Sequence, residues 1–137
     1  MDREVIEQKL ESLRRCLQRI EQKCPSDPDR LSQDPDLQDI VSLNLTRAVQ
    51  LCVDLGAHLI VDLNVPPPDT MGQTFDALSL AGVIPEALAV ELKKAVGFRN
   101  IAVHHYEEID WTIVHRIARL HLDEFTKFAK IITARLA

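Results

Sequence analysis

The sequence predicts an all-α protein, an up-and-down bundle of four long helices plus one short helix. Apolar residues recur at spacings of three and four over most of the chain, which is the period of an amphipathic α-helix. The seven prolines cluster outside these periodic stretches, and only four glycines occur. At 137 residues the chain is long enough for one modest core, so we expect a single helical domain over residues 1–137.

Composition and cysteine use favour a cytoplasmic protein that does not enter a membrane. Apolar residues make up 46% of the chain, but no apolar run approaches the roughly 20 residues of a membrane span. The N-terminus is charged from Asp2 onward, so a signal peptide is not expected. Cys16, Cys24 and Cys52 are odd in number and lack a metal-type spacing, which is typical of reduced thiols in the cytoplasm.

The first helix is expected over residues 2–23, with an apolar stripe on one side and charges on the other. The charged side carries Arg14, Arg15, Arg19 and Lys23 among glutamates. It is either a solvated face with helix ion pairs or one wall of an RNA-contacting groove. The net charge of −5 argues against a broad nucleic-acid-binding surface but leaves room for a local basic groove.

Residues 25–36 are expected to form a loop, because three prolines and four aspartates over twelve positions oppose a helix. Asp36 fits the N-cap of the second helix, which is expected over residues 37–63. Asn44 lies beside the buried stripe of that helix. Two interpretations of it stay open: a hydrogen-bonded core group, or a residue that supports a functional site.

Three further helices complete the predicted bundle. A short helix is expected over residues 70–80, and Pro85 suits the first turn of the next one, which runs to residue 104 or 105. Asp110 fits the N-cap of a last helix over residues 111–135. The stripe of this last helix contains one histidine, which we interpret as packed, and consists of Val114, Ile117, His121, Phe125, Phe128 and Ile132.

The stretch from Gly97 to Tyr106 concentrates the polar chemistry of the chain. Arg99 falls on a buried helical stripe, which comprises Leu88, Leu92, Ala95, Arg99 and Ala102. An unpaired buried guanidinium costs several kcal/mol, so Arg99 must face a partner, a ligand or a water-filled groove. Arginine suits phosphate or carboxylate, and His104 can transfer protons near neutral pH. Together they predict a phosphate-handling site with a general acid or base.

Helix geometry indicates that one chain does not complete this site. On an ideal helix Arg99 and His104 point about 140° apart. Two copies of the stretch, paired across a two-fold axis, would bring both groups to one phosphate, so we expect a homodimer. The sequence contains neither a carboxylate cluster with ligand-like spacing nor a convincing metal pair among its histidines. It also lacks a glycine-rich phosphate loop, so we expect no metal and no cofactor.

Arg99, four intervening residues, His104, His105 and Tyr106 resemble the signature of HepT-type toxins in the HEPN superfamily. The resemblance extends from Met71 to Asp110 and, more weakly, to the segment 43–45. The second histidine departs from the pattern. A spacing of five intervening residues would select His105, whereas the His-x-Tyr half of the motif selects His104.

The resemblance implies the toxin of a HEPN/MNT toxin–antitoxin pair. Such a protein would be a metal-independent endoribonuclease in which the ribose 2′-hydroxyl attacks the adjacent phosphorus. His104 would be the general base or acid, and Arg99 would stabilise the phosphate charge. Asn100 would orient His104 or contact the phosphate. Tyr106 would line the site and accept AMP from a minimal nucleotidyltransferase antitoxin, which forms a larger hetero-oligomer with the toxin homodimer.

Two other interpretations of the motif remain at this point. In one, the chain is a non-catalytic subunit of a two-component nucleotidyltransferase, and the motif holds a nucleotide or the partner. In the other, Arg99, Asn100, His104 and Tyr106 form a buried network that only locks the bundle, with the tyrosine hydroxyl supporting His104.

Overall fold

Seven α-helices and one 3-10 turn make up the secondary structure of residues 2–136, the part of the chain that the computed structural model describes. No β-strand occurs in this range, and the all-α prediction is confirmed. None of its helices is long and apolar enough to cross a membrane. The elements in chain order are α1 Arg3–Lys23, α2 Pro28–Gln33, α3 Pro35–Ile60, α4 Met71–Leu80, α5 Glu86–His104, the 3-10 turn Tyr106–Glu108, α6 Trp111–Leu120 and α7 Leu122–Arg135.

The predicted loop over residues 25–36 is wrong, because it contains the short helix α2. Asp27 caps this helix by accepting a 2.9 Å hydrogen bond from the backbone N–H of Asp29. Pro28 occupies the first helical position, where a proline loses no intrahelical bond. Leu31 is fully buried and anchors the helix to the core. Pro28 and Pro35 thus start helices instead of breaking them.

The predicted cap of α3 is also wrong, because Asp34 and not Asp36 caps this helix. The Asp34 carboxylate accepts hydrogen bonds from the backbone N–H groups of Asp36 and Leu37, at 3.0 and 3.2 Å. Pro35 follows as the first helical residue. The prediction for Asp110 is confirmed, since its carboxylate accepts a 2.9 Å hydrogen bond from the N–H of Thr112.

The predicted last helix divides into α6 and α7 at His121. This residue has φ −124° and ψ 11°, and its backbone N–H closes α6 by bonding to the Ile117 carbonyl. Asp123 and Glu124 then lie in the first turn of α7, where acidic side chains favour a helix N-terminus. His121 itself is half-buried at this junction.

Helix α3 is the centre of the bundle, and every other helix contacts it. Its buried stripe packs along α1 and includes Val41, Leu45, Ala48, Cys52, Leu55 and Leu59. Phe75 of α4 and Phe128 of α7 meet edge to face, with ring centroids 5.8 Å apart. Helix α5 packs on α3 and α4 through Leu88, Leu92 and Val96. This packing carries the C-terminal end of α5 out to the surface, where the candidate site lies.

Candidate active site

Arg99, Asn100 and His104 lie on the last two turns of α5, and Tyr106 begins the 3-10 turn that follows. The predicted stripe places Arg99 in the core, but the structure gives the buried positions to Val96 and Phe98. Arg99 is only half-buried, at the edge of the core. Its guanidinium therefore lies between the packed interior and solvent, in position to meet a ligand.

The Arg99 guanidinium is only partly satisfied within the described chain. Its Nη1 donates a 3.3 Å hydrogen bond to Oδ1 of the neighbouring Asn100. Its Nε is buried and makes no hydrogen bond to any residue of the range 2–136. A buried donor without an acceptor costs about 1–3 kcal/mol. The position therefore favours a second acceptor, and a phosphate or carboxylate oxygen suits a guanidinium best.

His104 is the last residue of α5 and is exposed. Within residues 2–136 it makes no hydrogen bond, and the amide of Asn100 contacts Arg99 instead. The structure therefore brings Arg99 and Asn100 together but does not join either of them to His104. This finding excludes, for the described chain, the locked network in which all the polar motif groups hold one another.

Tyr106 contacts α3 and not His104. Its hydroxyl donates a 2.5 Å hydrogen bond to Oδ1 of Asp39, and its ring meets Trp111 edge to face at 5.9 Å. Burial raises the pKa of Tyr106, and the hydrogen bond to the Asp39 carboxylate raises that pKa further, while Ser42 opposes the shift. The side chain is still 40% exposed, so a partner protein can reach it.

Sequence reasoning did not single out Asp39 or Ser42. The two residues of the Tyr106–Asp39 pair are 67 positions apart in the chain. No local spacing connects a tyrosine after one helix with an aspartate near the start of another. Only the folded structure, in which the Tyr106 side chain reaches across to α3, shows the contact.

A basic groove of about 670 Å³ runs between α1 and α3. Arg15 and Arg19 of α1 face Arg47 of α3 across it, and Asn44 lies in its wall. Arg14 lies outside this groove and is paired with Glu11 at 2.7 Å, as a solvated helix face predicts. Arg15, in the wall of the groove, also pairs with Glu11 at 3.3 Å, so the ion pairs of a solvated face and the lining of the groove overlap at this residue.

Asn44 fits both of the interpretations that the sequence left open. It is buried, and its amide nitrogen donates a 2.8 Å hydrogen bond to the Ile40 carbonyl, as expected of a satisfied core group. It also lies in the wall of the basic groove.

A second cavity, of about 640 Å³, is mainly apolar and lies between α5, α6 and α7. Side chains from α5, α6 and α7 line it, among them Leu92, Phe98, Ile101, Ile113 and Phe125. None of the four motif residues contributes to its walls. Its lining also includes charged side chains, among them Glu91, Arg116 and Glu124.

The 3-10 turn creates a cluster that the sequence analysis missed. Ligand atoms of His105, Glu107 and Glu108 lie within 4.8 Å of one another. The sequence analysis identified no carboxylate cluster with ligand-like spacing, whereas the 3-10 turn brings the carboxylates of Glu107 and Glu108 together with His105. All three side chains are exposed. Metal independence stays a prediction, to be tested with a chelator.

Comparison with known proteins agrees with this architecture. The family described as ribonuclease HepT-like matches residues 13–132. The chain is 36% identical over 131 residues to the mRNA nuclease HepT of Shewanella oneidensis, covering 96% of this chain and 98% of that relative.

Two solved structures share the fold closely. A toxin–antitoxin complex with AMP-PNP superposes with a TM-score of 0.90 at 35% identity, covering 96% of this chain and 98% of the other. The tri-AMPylated HEPN toxin of Shewanella oneidensis in complex with its MNT antitoxin gives 0.89 at 36% identity, covering 98% and 99%. The helical bundle is thus that of a HEPN toxin. More narrowly, the chain belongs to the ribonuclease HepT-like family.

Proposed function

We propose that this protein is the toxin of a HEPN/MNT toxin–antitoxin pair and acts as an endoribonuclease. The observation that carries the proposal is Arg99, a half-buried guanidinium whose Nε lacks an acceptor, five residues before the exposed, unpartnered His104. An anion-binding group and a free imidazole are the two elements that phosphodiester cleavage without a metal requires. The family membership supports the same activity.

In the proposed reaction the ribose 2′-hydroxyl attacks the adjacent phosphorus, and the bond from phosphorus to the 5′-oxygen breaks. His104 transfers a proton, either from the attacking hydroxyl or to the leaving oxygen. Arg99 stabilises the negative charge that grows on the phosphate oxygens. Asn100 holds the guanidinium through its 3.3 Å contact. The products are a 2′,3′-cyclic phosphate and a 5′-hydroxyl.

The active unit in this proposal is a homodimer. Arg99 and His104 point about 140° apart on an ideal helix, and no contact joins them in residues 2–136. Two α5 helices facing each other would place Arg99 of one copy near His104 of the other. Ile101 and Val103, which are 42% and 48% exposed on the same turns, supply apolar surface for that contact.

The proposed restraint is AMP attached to Tyr106 by a minimal nucleotidyltransferase antitoxin, within a larger hetero-oligomer. Tyr106 is exposed enough to be reached, and the Shewanella relative is described as tri-AMPylated and bound to an MNT antitoxin. Each AMP adds about one negative charge and a bulky nucleoside. That charge repels the RNA backbone, and its phosphate competes for arginine. Because RNA and ATP are both cytoplasmic, we expect the protein to act there.

Purified protein incubated with total RNA tests this function. We expect cleavage by the unmodified protein and loss of cleavage in Arg99→Ala and His104→Ala. Absence of cleavage by the unmodified homodimer would contradict the proposal. If AMP transfer by the partner occurred all the same, the non-catalytic nucleotidyltransferase subunit would then be the better interpretation.

A further inference from the structure

The contact between Tyr106 and Asp39 is the shortest hydrogen bond at the candidate site. It joins the 3-10 turn to the second turn of α3 at 2.5 Å. Asp39 is exposed, whereas Ser42, one turn later, is buried and donates a 3.4 Å hydrogen bond to the Asp39 carbonyl. Helix α3 therefore fixes the backbone that carries Asp39, and the phenol oxygen of Tyr106 donates to its carboxylate.

Tyr106 is a poor nucleophile on its own. Burial and the neighbouring Asp39 carboxylate raise the pKa of its phenol, so the hydroxyl stays protonated at neutral pH. A phenol that attacks a phosphorus atom must lose its proton during the reaction. A general base has to lie within hydrogen-bond reach of that proton. Within residues 2–136, Asp39 is the carboxylate that accepts this hydrogen bond.

We infer that Asp39 is the catalytic base for modification of this chain, so that the target protein supplies the proton acceptor for its own AMPylation. The inference rests on the proposed function, in which Tyr106 receives AMP. Tyr106 Oη forms a bond to the α-phosphorus of ATP held by the nucleotidyltransferase. The bond from that phosphorus to the bridging oxygen breaks, and pyrophosphate leaves with the electron pair. The phenol proton passes to Oδ1 of Asp39 and then to water.

The same geometry predicts what happens to the contact after transfer. The phosphodiester on Tyr106 has no proton to donate, and its charge lies beside the Asp39 carboxylate. The hydrogen bond between the 3-10 turn and α3 is then replaced by repulsion between like charges. Modification thus removes the hydrogen bond that ties Tyr106 to α3.

The test is the initial rate of AMP transfer, followed by intact-protein mass spectrometry with the nucleotidyltransferase partner and ATP. Asp39→Asn keeps a hydrogen-bond acceptor but removes the base, and we expect the rate to fall about 100-fold. Asp39→Glu should restore part of the rate. Asp36→Asn makes the same charge change one turn earlier on α3. Its rate of AMP transfer should match that of the wild-type sequence. Unfolding midpoint and partner binding are measured for each variant.

A second arm separates proton removal from positioning. The chain contains one tyrosine, so fluorotyrosine incorporated in place of tyrosine enters only at position 106. Its more acidic phenol needs less help from a base, so it should restore transfer to Asp39→Asn. Fluorotyrosine should likewise accelerate AMP transfer to Asp39→Glu, so this variant can be tested instead if Asp39→Asn does not fold.

Two results would overturn the inference. AMP transfer to Asp39→Asn at the wild-type rate shows that the carboxylate is not the base. A slow Asp39→Asn or Asp39→Glu variant that fluorotyrosine does not accelerate shows that Asp39 only positions Tyr106. If the wild-type sequence receives no AMP on Tyr106, the proposed modification fails and this inference fails with it. Ribonuclease activity is judged separately, by RNA cleavage.

Discussion

Removal of one oxygen atom tests whether the 3-10 turn is held on α3 in solution. Tyr106→Phe keeps the ring contact with Trp111 and deletes only the hydroxyl that donates to Asp39. Hydrogen bonds to charged groups contribute about 1.5–3 kcal/mol when buried. Because Tyr106 is 40% exposed and Asp39 is exposed, solvent reduces the stabilisation that this hydrogen bond contributes. We expect a loss of about 1 kcal/mol, or about 3–4 °C in the unfolding midpoint of a chain of this size.

A double-mutant cycle isolates the contact from other consequences of each substitution. Tyr106→Phe, Asp39→Ala and the double variant are unfolded in urea at one protein concentration. The coupling energy between the two positions should be about 1 kcal/mol. Asp36→Ala replaces Asp39→Ala in a control cycle and should show no coupling. Additive effects in the Asp39 cycle would refute the contact, and with it the base assigned to Tyr106.

The pH dependence of the same pair has a definite sign. The pKa of Tyr106 is raised in the folded state above its ordinary value of 10.0, first by burial and then by Asp39. A raised pKa means that the stabilisation is complete below pH 10.0 and is lost as the pH rises through the folded-state pKa. The stability difference between the unmodified protein and Tyr106→Phe should therefore stay constant from pH 7 to about 9 and shrink above pH 10. A difference that grows in alkali would contradict this interpretation.

Four further predictions concern activity and assembly. His104→Ala should abolish RNA cleavage, whereas His105→Ala should retain it, and the reverse result would show that the longer motif spacing applies. Cleavage should persist in EDTA and leave a 2′,3′-cyclic phosphate, so strict dependence on magnesium would refute the mechanism. Arg19→Gln and Arg47→Gln should each weaken binding of single-stranded RNA and reduce its log–log salt slope by about 0.7, whereas Arg14→Gln should not. Light scattering should show a dimer at micromolar concentration, and a monomer would contradict the two-chain site.

The helices and the motif could be predicted because they depend on local signals. A period of three and four residues defines a helix within one stretch of chain, and a polar cap acts over three residues. The bounds of α1, α4 and α5 were therefore close to those predicted. Arg99, Asn100 and His104 likewise lie on the last two turns of one helix, and Tyr106 follows two residues later. The helical period selects Arg99 as a polar residue on an apolar stripe, and the resemblance to the HepT motif selects His104 and Tyr106.

The errors have physical causes that can be named. Prolines generally oppose a helix, but Pro28 and Pro35 stand at first helical positions, where their missing N–H costs nothing. The break at His121 has no proline or glycine to signal it, and the acidic first turn of α7 is its only local trace. The stripe that included Arg99 had the correct period, but Val96 and Phe98 bury more apolar surface and occupy the core instead.

The doubled histidine shows how the structure adds to an ambiguous motif. His104 is the last helical residue of α5 and shares that helix with Arg99 and Asn100. His105 leaves the helix, with φ −143° and ψ 55°, and its ring lies with Glu107 and Glu108. Two carboxylates beside His105 create a negative environment that would repel an RNA phosphate. His104 carries no such partners within residues 2–136. The turn of the backbone between the two residues thus favours His104 as the proton-transfer group. RNA cleavage by His104→Ala and His105→Ala tests this choice.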